Sequence, residues 1–261
     1  MRQTLNNKKK GGNKGLIVYI TAGCPDYQAS LEAIVGAAEA GADIIEIGLP
    51  FSDPMADGPV IQKAAAMALS AGATTAKTLE LVKNVRRRST VALAIMTYLN
   101  PVLQYGSERF ARDFAAAGVS GLIIPDLPLE ESEFLEPACA ASGIELIRFV
   151  APTSDAGRIA ATCQKAEGFL YCVSSTGVTG MREVDYSSLK DTVDEVRRYS
   201  DIPVAIGFGI AGPEAAQSAA QYADAVIVGS AVMQRLMEQG VPEVREFVGK
   251  LRRALDERRQ P

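Results

Sequence analysis

The chain of 261 residues contains no histidine. That removes the commonest metal ligand and the one side chain whose unperturbed pKa lies near neutrality, so acid and base chemistry falls to carboxylates, Tyr, Lys or Cys. Cysteine is scarce as well. Cys24, Cys139, Cys163 and Cys172 are scattered, without a CxxC pair or metal-ligand spacing, and read as free thiols. A basic surplus is missing: 27 Lys+Arg against 31 Asp+Glu leave a net charge of −4 and a pI near 5.1, which argues against a nucleic-acid-binding domain. No window approaches the ~18 uninterrupted apolar residues of a membrane span. Residues 1–15 are polar and lack the apolar stretch of a signal peptide. A cytoplasmic location is expected.

What is present is a repeat. Hydrophobic residues make up 48% of the chain and charged residues 22%, enough for a sizeable core. Eight short apolar runs read as strands: Leu16 to Thr21, Asp43 to Gly48, Val91 to Tyr98, Gly121 to Pro125, Ile144 to Val150, Gly168 to Val173, Pro203 to Gly209 and Asp224 to Gly229. Between them lie Ala-, Leu-, Glu- and Arg-rich segments such as TLELVKNVRRR and DTVDEVRRYS, which suit amphipathic helices. Gly41, Gly118 and Gly143 end three of these as C-cap glycines. Strands apolar nearly throughout, separated by helices, imply a parallel sheet covered by βαβ crossovers. Eight such units in this length is the arithmetic of a (β/α)8 TIM barrel. An open doubly wound sheet is the alternative, but the first βα turn, TAGCPD, lacks a GxGxxG fingerprint. Residues 1–14 read as a polar N-terminal arm and 15–261 as one barrel domain. Ser230 to Gly240 read as an extra short helix after strand eight.

In this fold functional groups sit at the C-terminal ends of strands and in the loops beyond them. Glu46 is a carboxylate inside the apolar run DIIEIG, where alternation sets Ile44, Glu46 and Gly48 opposite Ile45 and Ile47. Facing the barrel, it would be desolvated and its pKa would rise toward neutrality, as a general acid/base requires. A structural carboxylate capping a loop amide is the bland alternative. The next loop, Gly48 to Pro59, is ordered by turn chemistry and carries Asp53 and Asp57. Asp57 precedes Gly58 and Pro59 at a helix start, so spacing alone leaves N-cap and catalyst both open.

Gly207, Phe208 and Gly209 after strand seven, with Gly229 and Ser230 after strand eight, predict a phosphate site made of backbone N–H groups and a helix N-terminus. The loop Ser174 to Val184 is polar and Gly-punctuated, the composition of a mobile lid, with an ordinary surface loop as the alternative. Lys63, Lys77, Lys83, Lys165, Lys190 and Lys250 fall in expected helices and the other four lysines precede the first strand, so no lysine is placed for a Schiff base. What remains is cofactor-free proton transfer on a phosphorylated substrate by two carboxylates. Tyr19, Ile61, Met96, Tyr98, Tyr171, Phe208 and Ile227 are candidate apolar lining or, equally, barrel core. A phosphate-binding isomerase with Cys24 as base is a second enzyme reading.

The strings YITAGCP, IEIGLPFSDPMADGPVIQ, TYLNP, IIPDLP, STGVTG, GFGI and VGSA together resemble the tryptophan synthase alpha chain family along essentially the whole chain. Cys24, where the family commonly has Asp, and Met181 depart from its pattern. The resemblance implies retro-aldol cleavage of indole-3-glycerol phosphate to indole and glyceraldehyde 3-phosphate, with no cofactor in this chain. It makes Glu46 the acid/base at the ring carbon bearing the glycerol chain and Asp57 the carboxylate that receives the indole N–H. It implies Tyr171 near the substrate, Thr179 positioning Asp57, and Gly180, Phe208, Gly209, Gly229 and Ser230 as phosphate and ring contacts. A pyridoxal phosphate-dependent beta chain in an alpha-2-beta-2 assembly is the implied partner, with interface positions around Asp53, Asn100, Pro101, Asp126 and Pro128. A free-standing lyase is the alternative within the same chemistry.

Overall fold

The computed structural model describes residues 1–173, 186–207 and 209–257, apart from the side chain of Ser188. Among the described residues the strands are β1 (Gly15–Thr21), β2 (Ile44–Gly48), β3 (Ala92–Met96), β4 (Gly121–Ile123), β5 (Glu145–Val150), β6 (Leu170–Cys172), β7 (Val204–Ile206) and β8 (Ala225–Val228). They pair in parallel in sequence order, and β8 returns to β1, so the barrel is closed. The helices are α1 (Arg2–Lys10), α2 (Tyr27–Glu39), α3 (Pro59–Ser70), α4 (Thr75–Arg88), α5 (Leu99–Tyr105), α6 (Ser107–Ala116), α7 (Glu136–Ser142), α8 (Ala156–Gln164), α9 (Lys190–Tyr199), α10 (Pro213–Ala220), α11 (Ser230–Gln239) and α12 (Val241–Asp256). The apolar runs thus form the eight parallel strands of a TIM barrel, and the segment after β8 is the separate helix α11. None of these helices is long and apolar enough to cross a membrane.

Two apolar layers follow from strand alternation. Side chains pointing outward, such as Ile45 and Ile47, join the large cluster between barrel and helices. Those pointing inward, including Ile17, Ile44, Ala94, Ile123, Ile147, Phe169, Tyr171 and Ile227, fill the barrel. Gly41, Gly118 and Gly143 have φ of +108°, +99° and +69°, the left-handed values that favour glycine where each preceding helix turns into its strand.

Within the stretch expected as a polar arm, α1 lies under the N-terminal end of the barrel. Leu5 is fully buried, and Met1 is buried beside it. A Cβ added to Gly15 would stand 2.4 Å from Leu5 Cδ2, and one added to Gly121 would stand 1.7 Å from Met1 Cε. These strand-start glycines therefore seat the plug that closes the lower end. Lys8 and Lys9 bind Asp43 and Asp224 at 2.8 and 3.1 Å. Asp43 accepts the Leu16 N–H at 2.9 Å while its own N–H donates to the Leu16 carbonyl at 2.8 Å. Asp224 repeats the reciprocal pair with Val204 at 3.1 and 2.9 Å.

The third strand is shorter than its apolar run. β3 ends at Met96, and Tyr98 is already the N-cap of α5. Asp126, beyond β4, accepts the Leu99 N–H at 2.9 and 3.2 Å and so starts that helix. β7 likewise stops at Ile206, before the glycine pair.

Candidate active site

Glu46 lies midway along β2, paired in register with Tyr19 on β1 and Ala94 on β3. It is completely buried, and among the described residues neither carboxyl oxygen has a hydrogen-bond partner. The loop-capping alternative is therefore not what the structure shows. Desolvation alone raises its pKa to about 8. At neutral pH this residue is mainly a neutral carboxylic acid, able to give a proton and take one back.

Asp57 ends the loop after β2. The helix it precedes is capped by Gly58, with Pro59 as first residue, and no side chain caps that helix. The N-cap reading therefore fails. The carboxylate turns instead to Tyr98, whose hydroxyl donates to Asp57 Oδ2 at 3.0 Å. Burial pushes the Asp57 pKa up to about 6, and the Tyr98 hydrogen bond opposes that rise. Asp57 remains mainly ionised at neutrality. The two carboxyl groups thus stand in opposite protonation states because, among the described residues, one has no hydrogen-bond donor and the other has one.

Two tyrosines wall the space around Glu46. Tyr19 is buried, and its ring crosses Gly48 so closely that a Cβ there would stand 2.0 Å from the Tyr19 hydroxyl. Thr21 Oγ1 donates to that hydroxyl at 3.2 Å. Tyr171, on β6, lies against Gly207 in the same way, with a Cβ there 2.4 Å from the ring. Burial first, and then the nearby Glu46 and Asp57 charges, hold the Tyr171 hydroxyl well above the usual phenol range. The Tyr19 hydroxyl is raised likewise by burial and then by Asp57. Both remain phenols. A small cavity is lined by Tyr19, Phe51, Asp57, Met96 and Tyr98, among others.

Ile61 is buried in the first turn of α3, in the same apolar cluster as Tyr19, and Ile227 is buried inside the barrel on β8. Gly229 is the N-cap of α11 and Ser230 its first residue. A Cβ at Gly229 would touch Tyr19 Cβ at 3.4 Å, so this helix end lies beside the tyrosine wall. Gly209 has φ of +70°. Thr179, Gly180 and Phe208, with the expected lid, lie outside the described residues.

Cys24 is buried, and desolvation pushes its thiol up to about 11, which removes the thiolate that a base at this position would need. Among the described residues no group of three or more Cys, Asp or Glu side chains is placed to hold a metal ion. Lys165, expected within a helix, is the C-cap of α8, and the other five lysines of that set lie in helices.

A second feature flanks the mouth. An open groove of about 500 Å³ is lined by Phe51, Asp53, Thr74, Asn100, Pro101 and Tyr105, among others. It brings together three of the five expected interface positions. Asp126 joins them through the Leu99 N–H, whereas Pro128 lies at the head of the 3₁₀ turn Leu129–Phe134, away from the groove lining. The contact that sequence reasoning missed is that of Tyr98, read only as apolar lining or barrel core, with Asp57. Its only signal was that TYLNP sets a proline three residues after it, a helix-start spacing.

The family model for the tryptophan synthase alpha chain matches residues 5–256. The tryptophan synthase alpha chain of Synechococcus elongatus is 49% identical over 251 residues, covering 96% of this chain and 94% of that protein. Its counterpart in Lactiplantibacillus plantarum is 46% identical over 248 residues, covering 94% of each. Among solved structures, a Mycobacterium tuberculosis tryptophan synthase superposes with a TM-score of 0.92 at 40% identity over 98% of both chains. The alpha subunit from Legionella pneumophila gives 0.90 at 34% over 97% of both. A closed eight-stranded barrel, an unpaired acid on its second strand and this extent of likeness converge: the chain belongs to the tryptophan synthase alpha chain family.

Proposed function

We propose that Glu46 and Asp57 are the carboxylate pair of a retro-aldol cleavage of indole-3-glycerol phosphate to indole and D-glyceraldehyde 3-phosphate. As a member of its family the chain is a carbon–carbon lyase of tryptophan biosynthesis. The observation that carries the residue assignment is a fully buried carboxyl inside the barrel with no hydrogen-bond partner among the described residues. Such a group is costly to the fold unless it is neutral, and a neutral carboxyl near pH 7 is a proton donor.

The chemistry then needs a fixed sequence of proton moves. Glu46 gives its proton to ring carbon C3, and the ring takes up positive charge at nitrogen. Asp57 accepts the indole N–H and balances that charge. Glu46, now a carboxylate, takes the proton of the hydroxyl on the adjoining side-chain carbon. The bond from C3 to that carbon breaks, its electron pair returns to the ring, and the carbon becomes the aldehyde. Glu46 ends protonated, as it began. Tyr19, Ile61, Met96, Tyr171 and Ile227 enclose the ring, while Gly207, Gly209, Gly229 and Ser230 offer backbone N–H groups and the α11 N-terminus to the phosphate. Thr179, Gly180 and Phe208 complete this assignment from the family pattern.

The partner in this reading is a pyridoxal phosphate-dependent beta chain in an alpha-2-beta-2 tetramer, and the cofactor belongs to that partner. Asp53, Asn100, Pro101, Asp126 and Pro128 are its proposed contacts. Support comes from apolar side chains exposed on the same segments: Met55 at 82%, Leu103 at 52% and Phe134 at 47%.

The test is indole release from indole-3-glycerol phosphate by the purified chain, alone and with a beta chain titrated in. Cleavage that rises with the partner supports the synthase subunit. Equal cleavage without it makes the chain a free-standing lyase. No cleavage in either condition overturns the substrate assignment.

A further inference from the structure

The Tyr98 hydroxyl makes two hydrogen bonds, and both hold the loop that carries Asp57. It donates to Asp57 Oδ2 at 3.0 Å and accepts the Ala56 N–H at 3.0 Å. Among the described residues no other side chain donates to the Asp57 carboxylate. One buried phenol therefore fixes both the side chain and the adjoining backbone. The phenol is itself held, for Tyr98 is 3% exposed and its ring lies 5.5 Å from that of Phe51. Its backbone is the N-cap of α5, and the next N–H is clasped by Asp126. This corner also leads directly into Asn100 and Pro101, which line the open groove.

We propose that Tyr98 is a positioning residue for the cleavage reaction, aiming the Asp57 carboxylate at the ring nitrogen and keeping it ionised. The inference rests on the role assigned to Asp57 above. A carboxylate that must accept an N–H in the transition state loses rate if it can rotate away or pick up a proton. Among the described residues the groups that interact with the Asp57 charge are Tyr98, Tyr19 from β1 and Tyr171 from β6, with Asp126 acting on Tyr98. None of these is a cation. Among the described residues the phenol is the one donor that offsets desolvation of the carboxylate. Removing it leaves burial unopposed, so the Asp57 pKa rises and ionisation requires a higher pH.

The experiment compares Tyr98→Phe in the wild-type and Asp57→Asn backgrounds of the full chain, measuring kcat, KM and their pH dependence. With Asp57 present, loss of the hydroxyl is expected to lower kcat about tenfold, in line with a hydrogen bond to a charged group. The acid-side limb should move to higher pH, and KM should change less than kcat. In Asp57→Asn the same substitution should change kcat by less than about twofold, because the two act as one unit. Equal losses in both backgrounds, or an unmoved limb, overturn the proposal. Should Tyr98→Phe not fold, 3,5-difluorotyrosine at position 98, a stronger donor, must move the limb to lower pH, and a limb that stays overturns the proposal too. An Asp57→Asn variant as active as wild type would instead sink the role of Asp57, whatever Tyr98 does.

Discussion

The carboxylates at the N-terminal end of the barrel and the pair Glu46 and Asp57 at its mouth are treated in opposite ways. At the N-terminal end Asp43 holds the Leu16 N–H, Lys8 and Arg252, the last at 3.1 Å, and Asp224 holds the Val204 N–H and Lys9. Glu167 accepts the Leu146 N–H at 2.8 Å. Toward the C-terminal mouth, among the described residues, Asp57 has a single phenol and Glu46 has no hydrogen-bond partner. Carboxylates satisfied by backbone and cations specify the fold. A carboxylate left unsatisfied stores a free-energy penalty that catalysis can use, which is the usual division of labour between the ends of such barrels.

The sharpest way to break this comparison is at Glu46. Glu46→Gln should reduce indole release about a thousandfold, within the range for positioned acid/base groups. A residual activity within tenfold of wild type would remove Glu46 from the chemistry. Asp43→Ala should do the reverse, costing about 3 kcal/mol in denaturant unfolding because the Leu16 N–H and two cations lose their partner, while kcat of the folded fraction stays unchanged. A loss of kcat with stability intact would erase the distinction between the ends.

Asp57→Asn should cost about a hundredfold in kcat. Glu46→Gln also has a stability readout whose sign follows from its raised pKa. The folded-state value of about 8 exceeds the ordinary 4.5, so the contribution of this group is intact below pH ~4.5 and is lost as pH climbs through about 8. At pH 9 the glutamine variant should therefore unfold at higher denaturant than wild type, by a margin that shrinks as the pH is lowered. Equal midpoints would mean that Glu46 is relieved of its charge in some other way. The smallest effect is in the pH profile. Because Asp57 must be ionised and Glu46 protonated, kcat/KM should rise through about 6 and fall through about 8. A flat profile across that window would count against opposed protonation states.

The half of this contrast at the mouth is legible in the sequence, for reasons that differ by residue, whereas the partners of Asp43, Asp224 and Glu167 are not. The strands stand out because parallel strands buried on both faces must be apolar throughout, and Glu46 stands out because it interrupts one of them. Asp57 was ambiguous, since the same spacing suits a cap. Only the tertiary contact with Tyr98 decides it. The overrun of β3 to Tyr98 has the same origin. Apolar character continues past Met96, but the β3–β4 ladder ends there and Asp126, distant in sequence, turns the chain into α5. Helix α1 was invisible because RQTLNNKKK carries a single apolar residue, and that residue matters only because glycines elsewhere leave room for it.

The reciprocal pair between Asp43 and Leu16 also decides something that the five residues of β2 cannot decide alone. Strand alternation has a period of two, so slipping β2 by one residue against β1 would turn every side chain to the opposite face. Glu46 would leave Tyr19 and point outward among the helices, and Ile45 or Ile47 would enter the barrel in its place. By fixing the first residue of the ladder, a carboxylate at the closed end sets the handedness of choice at the open one: which face of β2 is chemical and which is grease.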